Sequence, residues 1–153
     1  MKQIRFISGD QSRLDMIKPL WEELNKHHES ISTYFSEAFS EFTFEIRKST
    51  LLMKSMNGHL FTDIAIDAES HMEIGYCIST INSELKGEVE SIYIKPEHRK
   101  SGVGSLLMTR ALNWFDSNGV TEKNVVVAYG NEQAHAFYSK FGFYPRTTVL
   151  RQK

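Results

Sequence analysis

Cysteine, proline and net charge are all scarce in this chain. One cysteine, Cys77, excludes an intramolecular disulfide. It sits in an apolar alternating stretch and reads as a small buried hydrophobe, not a reactive thiol. There are three prolines and no Pro-, Gly- or Ser-rich linker, repeat or low-complexity run. The 153 residues therefore predict one domain over 1–153, since domains commonly run about 100–200 residues. A net charge of −1 gives no electrostatic case for nucleic acid, which needs a clustered basic excess. No apolar run approaches the ~18 residues of a membrane helix, so no membrane partner is expected. The opening MKQIRFISGD carries Arg5 where a signal peptide would need its apolar run, which predicts a cytoplasmic protein. No His, Cys, Asp or Glu set has ligand spacing, so no metal is expected.

What is present reads in alternating blocks. Ile4 to Ile7 predicts a strand, and Ser12 with Asp15 fits a helix start. Leu14, Ile17, Trp21 and Leu24 recur at helical spacing, with Pro19 either kinking that helix or opening a second one. A further helix is predicted from Tyr34 to Met53, with Phe35, Ala38, Phe39, Phe42 and Ile46 as its apolar stripe. Its acidic row, Glu37, Glu41 and Glu45, reads as a solvated face. His59–Ile66, Met72–Thr80 and Glu88–Ile94 read as three strands, with a bulge or close approach at Gly75. Val103–Ser117 is a helix stopped by Asn118-Gly119, and Asn124–Tyr129 is a buried strand. Asn131–Lys140 is the last helix, and Phe143–Arg151 predicts one or two closing strands. The fold class is α/β with a mixed sheet, hairpins in the first half and crossover helices in the second.

The organising stretch is Val89 to Leu107: a strand, a basic turn and a helix start. Unpaired N–H groups and the helix dipole make such a start a phosphate cradle. Gly102 and Gly104 allow close approach and positive φ, while Arg99 and Lys100 add charge. A plain strand-to-helix turn would use the same glycines. A P-loop is excluded, because Ser105-Leu106 follows Gly104 where Lys-Ser/Thr is required. The dinucleotide fingerprint is excluded, because Leu107 holds the place of its third glycine.

Arg99-x-x-Gly102-x-Gly104 resembles the Arg/Gln-x-x-Gly-x-Gly/Ala signature of the GCN5-related N-acetyltransferase (GNAT) superfamily. Asn131-x-x-Ala134-x-x-Phe137-Tyr138-x-x-x-Gly142-Phe143 is similar to that family's second signature, at the expected distance downstream. The resemblance implies a GNAT-like fold: strand, two helices, three strands, helix, strand, helix and a sixth strand (with a seventh optional), helices lying on both sheet faces. It also implies acetyl-CoA as cosubstrate and transfer of its acetyl group to an amine.

By the same resemblance, Arg99, Lys100, Ser101, Gly102, Val103, Gly104 and Ser105 would hold the diphosphate. The backbone of Ile92, Tyr93 and Ile94 would pair with the pantetheine arm, an N–H near Ile94 serving the oxyanion. Asn131, Ala134, Phe137 and Tyr138 would line the cofactor, Tyr138 protonating the leaving thiolate. A phenol titrates near 10 and a thiol near 8.5, both approximate, so that transfer needs a dry, fixed geometry. Periodicity alone would make Tyr138 a core residue, and Asn131 a helix N-cap. The base could be Glu90, preferred for its depth in the strand, or Glu88, or a water chain. Either carboxylate could instead simply mark an exposed strand end. The acidic and aromatic first half favours a small cationic amine as acceptor. A protein lysine or N-terminal acetyltransferase, and a non-catalytic acyl-CoA sensor, are the rivals. A homodimer stays open by analogy alone.

Overall fold

The computed structural model describes residues 2–153. Its frame is a five-stranded sheet in sequential order: β1 (Ile4–Gly9), β2 (His59–Asp67), β3 (Glu73–Ile81), β4 (Lys86–Ile94) and β5 (Glu122–Val125). Neighbours pair antiparallel except β4 with β5, which is parallel and is reached through the crossover helix α4 (Val103–Ser117). The sheet is thus mixed, as the sequence predicts.

Alternation along the central strands divides the core in two. Tyr76 and Ile78 face α1 (Lys18–Ile31) and α3 (Phe44–Met56), where Leu14, Ile17, Trp21, Phe44 and Leu51 are buried. Cys77 faces the other way, toward Leu107, Met108, Ala111 and Phe115 of α4 and Tyr138 of α5 (Gln133–Ser139). Cys77 is fully enclosed, and burial pushes its thiol up to about 12, so it stays a neutral core residue.

Several boundaries differ from the sequence expectation. The first helical segment is a 3-10 turn over Gln11–Ile17, capped by the Asp10 carboxylate on Ser12 N–H and not by a Ser12–Asp15 pair. Pro19 then opens α1 in its first turn. The predicted helix Tyr34–Met53 is two helices, α2 (Ser36–Glu41) and α3, with Thr43 capping the second by accepting from Ile46 N–H at 3.2 Å. The cause is Trp21. Phe42 and Phe44 both pack edge-on against it at 5.7 Å, and residues two apart cannot share one face of a continuous helix. Ile46 is left half exposed. Glu37, Glu41 and Glu45 are exposed, as read.

The second half is shorter in secondary structure than expected. β5 ends at Val125, and Val126 is exposed. The chain then leaves the sheet toward α1, where Gly130 (φ +102°) packs so closely that a Cβ would lie 2.4 Å from the Ile31 carbonyl oxygen. Tyr129 stacks on Tyr34 beside it. No strand forms over residues 143–151, so the expected sixth and seventh strands are absent. Tyr144, Val149 and Leu150 are exposed, Pro145 removes a ladder donor, and an uncovered hairpin is marginal in water. Among the described residues, no helix is long and apolar enough to cross a membrane, and no three His, Cys, Asp or Glu side chains could hold a metal ion.

Candidate active site at the opening between β4 and β5

β4 and the edge strand β5 part where the site begins. Pairing of β4 with β5 runs only from Lys86↔Glu122 to Val89↔Val125. Beyond Val89, the outer edge of β4 has no strand beside it. A β-bulge falls at the same point: Ile78 pairs with Ser91 and Ser79 with Val89, so Glu90 has no partner on β3.

Backbone direction above the bulge follows from one hydrogen bond. Lys95 N–H donates to the Ile74 carbonyl at 2.9 Å, so the residues facing β3 are Lys95, Tyr93 and Ser91. Ile92 and Ile94 therefore turn their N–H and C=O groups to the open edge. Arg99 confirms the direction, its Nε donating to the Ile94 carbonyl at 2.9 Å. Tyr93 spends its backbone on β3 and its side chain elsewhere. Its hydroxyl donates to Glu23 of α1 at 3.0 Å, and the Arg99 guanidinium lies 5.4 Å from its ring. Burial, with Glu23 beside it, raises this phenol to about 12.

The basic loop closes this edge. Pro96–His98 form a 3-10 turn, Lys100 and Gly102 take positive φ, and α4 starts at Val103. No side chain caps α4, and its first intrahelical bond is Leu106 N–H to the Gly102 carbonyl. The N–H groups of Val103, Gly104 and Ser105 precede that bond and lack intrahelical acceptors. A Cβ at Gly102 would meet nothing within 4 Å, so open space lies over it. These features fit an anionic diphosphate.

The second motif lies against the first. Phe137 of α5 reaches 3.4 Å from where a Cβ of Gly104 would sit, and Ile94 reaches 3.7 Å. Tyr138, next on α5, is buried with Phe137 and Phe143 packed edge-on around it. Burial pushes its phenol well above the ordinary range, with Cys77 adding a smaller push. Ala134 packs on the same apolar cluster. Asn131 is not the N-cap expected for it: the helix begins two residues later, with Glu132 at the cap position.

Glu88 and Glu90 both meet Lys54 of α3, but differ in kind. The Glu90 side chain is 1% exposed and accepts from Lys54 at 2.7 Å, Thr80 at 2.5 Å and Arg47 at 3.2 Å. Burial raises its pKa, but the bonds from Lys54 and Thr80 outweigh that and hold it below the ordinary carboxylate value. Glu88 keeps a third of its side chain exposed, with Lys54 at 3.3 Å. Burial pushes its carboxyl up, the neighbouring Glu90 adds to the push, and Lys54 only partly offsets it. Glu88 lines a cavity of about 290 Å³ with Lys54, Asn57, Asn82 and Asn124. His27 and His28 lie at the end of α1, away from these carboxylates in the chain. Arg47, Lys54 and Thr80 carry no motif, and sequence reading missed them. The only signal available was that a buried Glu90 demands cationic partners.

Comparisons with known proteins place this geometry. The model of the acetyltransferase (GNAT) family matches residues 20–143. An aminoglycoside N(6')-acetyltransferase type 1 of Acinetobacter haemolyticus is 33% identical over 82 residues, 54% of this chain and 56% of that enzyme, so the match spans about half of the relative. A phosphinothricin N-acetyltransferase of Streptomyces coelicolor is 28% identical over 132 residues, covering 83% of this chain and 75% of that enzyme. Among solved structures, the PaiA N-acetyltransferase of Thermoplasma acidophilum, in complex with coenzyme A, shares the fold with a TM-score of 0.73 at 21% identity, over 96% of this chain and 93% of that one. With a family match over most of its length and both signature segments packed together at the β4 edge, the chain belongs to the acetyltransferase (GNAT) family.

Proposed function

We infer that the protein is an acetyl-CoA-dependent N-acetyltransferase whose acceptor is the primary amine of a small molecule. One observation supports this most: the open β4 edge meets the uncapped start of α4, where Phe137 and Ile94 both lie against Gly104 and Tyr138 packs on Phe137. Bound acetyl-CoA would supply a thioester carbonyl. The diphosphate would lie on the N–H groups of Val103, Gly104 and Ser105, beside Arg99 and Lys100. The pantetheine arm would add to β4 through Ile92 and Ile94. A free N–H on that edge would donate to the carbonyl oxygen as charge develops there.

Proton transfers fall to two side chains. Glu88 takes the amine proton, because it keeps a third of its side chain exposed beside a cavity and burial raises its carboxyl above the ordinary value. Glu90, with its lowered pKa and enclosed carboxylate, is the poorer base. As the amine nitrogen bonds to the carbonyl carbon and the carbon–sulfur bond breaks, Tyr138 gives its proton to sulfur. Its raised pKa keeps that proton in place throughout neutral pH.

The acceptor is read as cationic. Glu88 faces the cavity, and Lys54 and Lys86 on its wall are each paired with glutamates. The names of the relatives, an aminoglycoside and a phosphinothricin N-acetyltransferase, support a small-molecule amine and leave its charge to the cavity argument. The deciding experiment is thiol release from acetyl-CoA across a panel of polyamines, aminoglycosides and amino acids, with calorimetric titration of coenzyme A alongside. Release above background with at least one amine is expected. Tight coenzyme A binding without release from any amine would favour an acyl-CoA sensor.

A further inference from the structure

We propose that Glu90 is a positioning residue: clamped by Arg47, it fixes the β4 bulge and thereby aims the free N–H of Ile92 at the thioester carbonyl. The inference rests on the acetyltransferase reading above. It starts from a carbonyl, not a carboxylate. Arg47 Nη2 donates to the Glu90 main-chain carbonyl at 2.8 Å and to Glu90 Oε1 at 3.2 Å. One guanidinium on α3 therefore grips both the backbone and the side chain of the bulged residue. Lys54 and Thr80 hold the other carboxylate oxygen at 2.7 and 2.5 Å.

A bulged residue has lost its partner on β3, and beyond Val89 it has none on β5 either. Its main chain must be held from outside the ladder, and Arg47 of α3 does so, with Thr80 of β3 and Lys54 of α3 fixing the side chain. The consequence travels two residues. The bulge sets which edge each later N–H faces, and Ile92 is the first whose N–H reaches the open side. A donor that is free in the resting enzyme needs rigid placement to favour charge that develops only during reaction. Five hydrogen bonds to one residue beside the opening, counting a second from Lys54 to Oε1 at 3.0 Å, meet that need.

The test uses the full chain with Arg47→Ala, Arg47→Lys and Glu90→Gln. Arg47→Ala should lower kcat by about tenfold to a hundredfold, less than the ~10²–10³ for outright loss of an oxyanion donor because the N–H is misplaced and not removed, while KM for acetyl-CoA stays within about threefold. Arg47→Lys, which keeps the positive charge on a shorter side chain, should recover part of that loss. Glu90→Gln keeps an acceptor for Arg47 and should retain the acid limb of the pH–rate profile. The infrared band of bound ¹³C-acetyl-CoA reads the carbonyl directly: a downward shift in the wild type should shrink in Arg47→Ala. Unchanged kcat and band in folded Arg47→Ala, or loss of the acid limb in Glu90→Gln, would overturn the proposal. Should Arg47→Ala fail to fold, Arg47→Lys and the Glu90→Gln profile decide. If no amine supports turnover, the acetyltransferase reading falls, and the infrared arm still decides the positioning claim. A chain that binds no acetyl-CoA at all would end both.

Discussion

The Lys54 ammonium lies 2.7 Å from Glu90 and 3.3 Å from Glu88, so one cation serves two carboxylates of one strand. Its effect on them is unequal. Glu90 also has Thr80 and Arg47, whereas Glu88 has Lys54 as the one cation that lowers its pKa. Lys54→Met should therefore push Glu88 further up, moving the acid limb of kcat/KM to higher pH. Glu88→Gln should remove that limb and lower kcat/KM at neutral pH by about 10²–10⁴, the usual range for losing a general base. An acid limb that survives Glu88→Gln would assign the deprotonation to water.

The same two carboxylates should affect stability with opposite signs. Glu90 is held below its unfolded value, roughly 4.3, so it stabilises the fold above that pH and ceases to as pH falls through its folded value. Glu88 is raised, so its contribution is present below the unfolded value and is lost as pH rises through the folded one. At pH 7, Glu90→Gln should lower Tm and Glu88→Gln should raise it. Thermal melts of the two variants from pH 3 to 8 check both, the differences shrinking toward the acid end.

Tyr138→Phe removes one hydroxyl from a side chain that is otherwise core. The ring stays packed between Phe137 and Phe143, so coenzyme A affinity by calorimetry should hardly change. Turnover should fall by about 10²–10⁴, as expected for a lost general acid. Because burial holds the phenol protonated, the wild-type profile should show no alkaline limb near neutral pH that Tyr138→Phe then abolishes. Unaltered turnover would return Tyr138 to the core.

Gly102 combines φ +89° with open space where a Cβ would point. Gly102→Val therefore meets no protein clash, and its cost to the fold is backbone strain of about 1–3 kcal/mol. The open space is where a diphosphate would sit, so coenzyme A affinity should drop more than stability does. Calorimetric titration and urea unfolding of the same variant separate the two effects.

Legibility in the sequence followed the range of the forces. Strand and helix identity came from local periodicity, so β1 to β4 and α4 read correctly, and the two glycine-bearing motifs marked the loop and α5. The break at Phe42–Thr43 did not read, because its cause is Trp21, more than twenty residues away. The bulge at Glu90 did not read either. Two-residue alternation along β4 is unbroken in sequence, and only the pairing of Ile78 with Ser91 and of Ser79 with Val89 reveals the extra residue. For the same reason the partners of Glu90 did not read: its depth in the strand was visible, while Lys54 and Arg47 were not. The closing strands were read from residues with strand propensity, but propensity without a covered face leaves Val149 and Leu150 in solvent.

Arg110 shows the same limit on the opposite sheet face. By spacing it belongs to the apolar side of α4, among Val103, Leu107 and Ala111. It lies there because Asp63 of β2, with a side chain 1% exposed, takes its Nε at 2.5 Å and its Nη2 at 3.2 Å. Ser8 of β1 bonds both partners, at 2.7 Å to Asp63 and 2.8 Å to Arg110, and the guanidinium lies 4.3 Å over the Phe6 ring. This charge cluster ties the middle of α4 to two strands, about two turns along from the uncapped helix start at Val103. Arg110→Met would leave Asp63 buried with only Ser8; because the Arg110 side chain is itself 38% exposed, the loss should fall below that of a fully buried pair, at about 1–3 kcal/mol. The urea midpoint should fall at constant m-value. Adding Asp63→Asn should restore part of the loss, since no uncompensated charge then remains. Turnover below the melting transition should stay near wild type in both, because neither side chain reaches the opening beside β4.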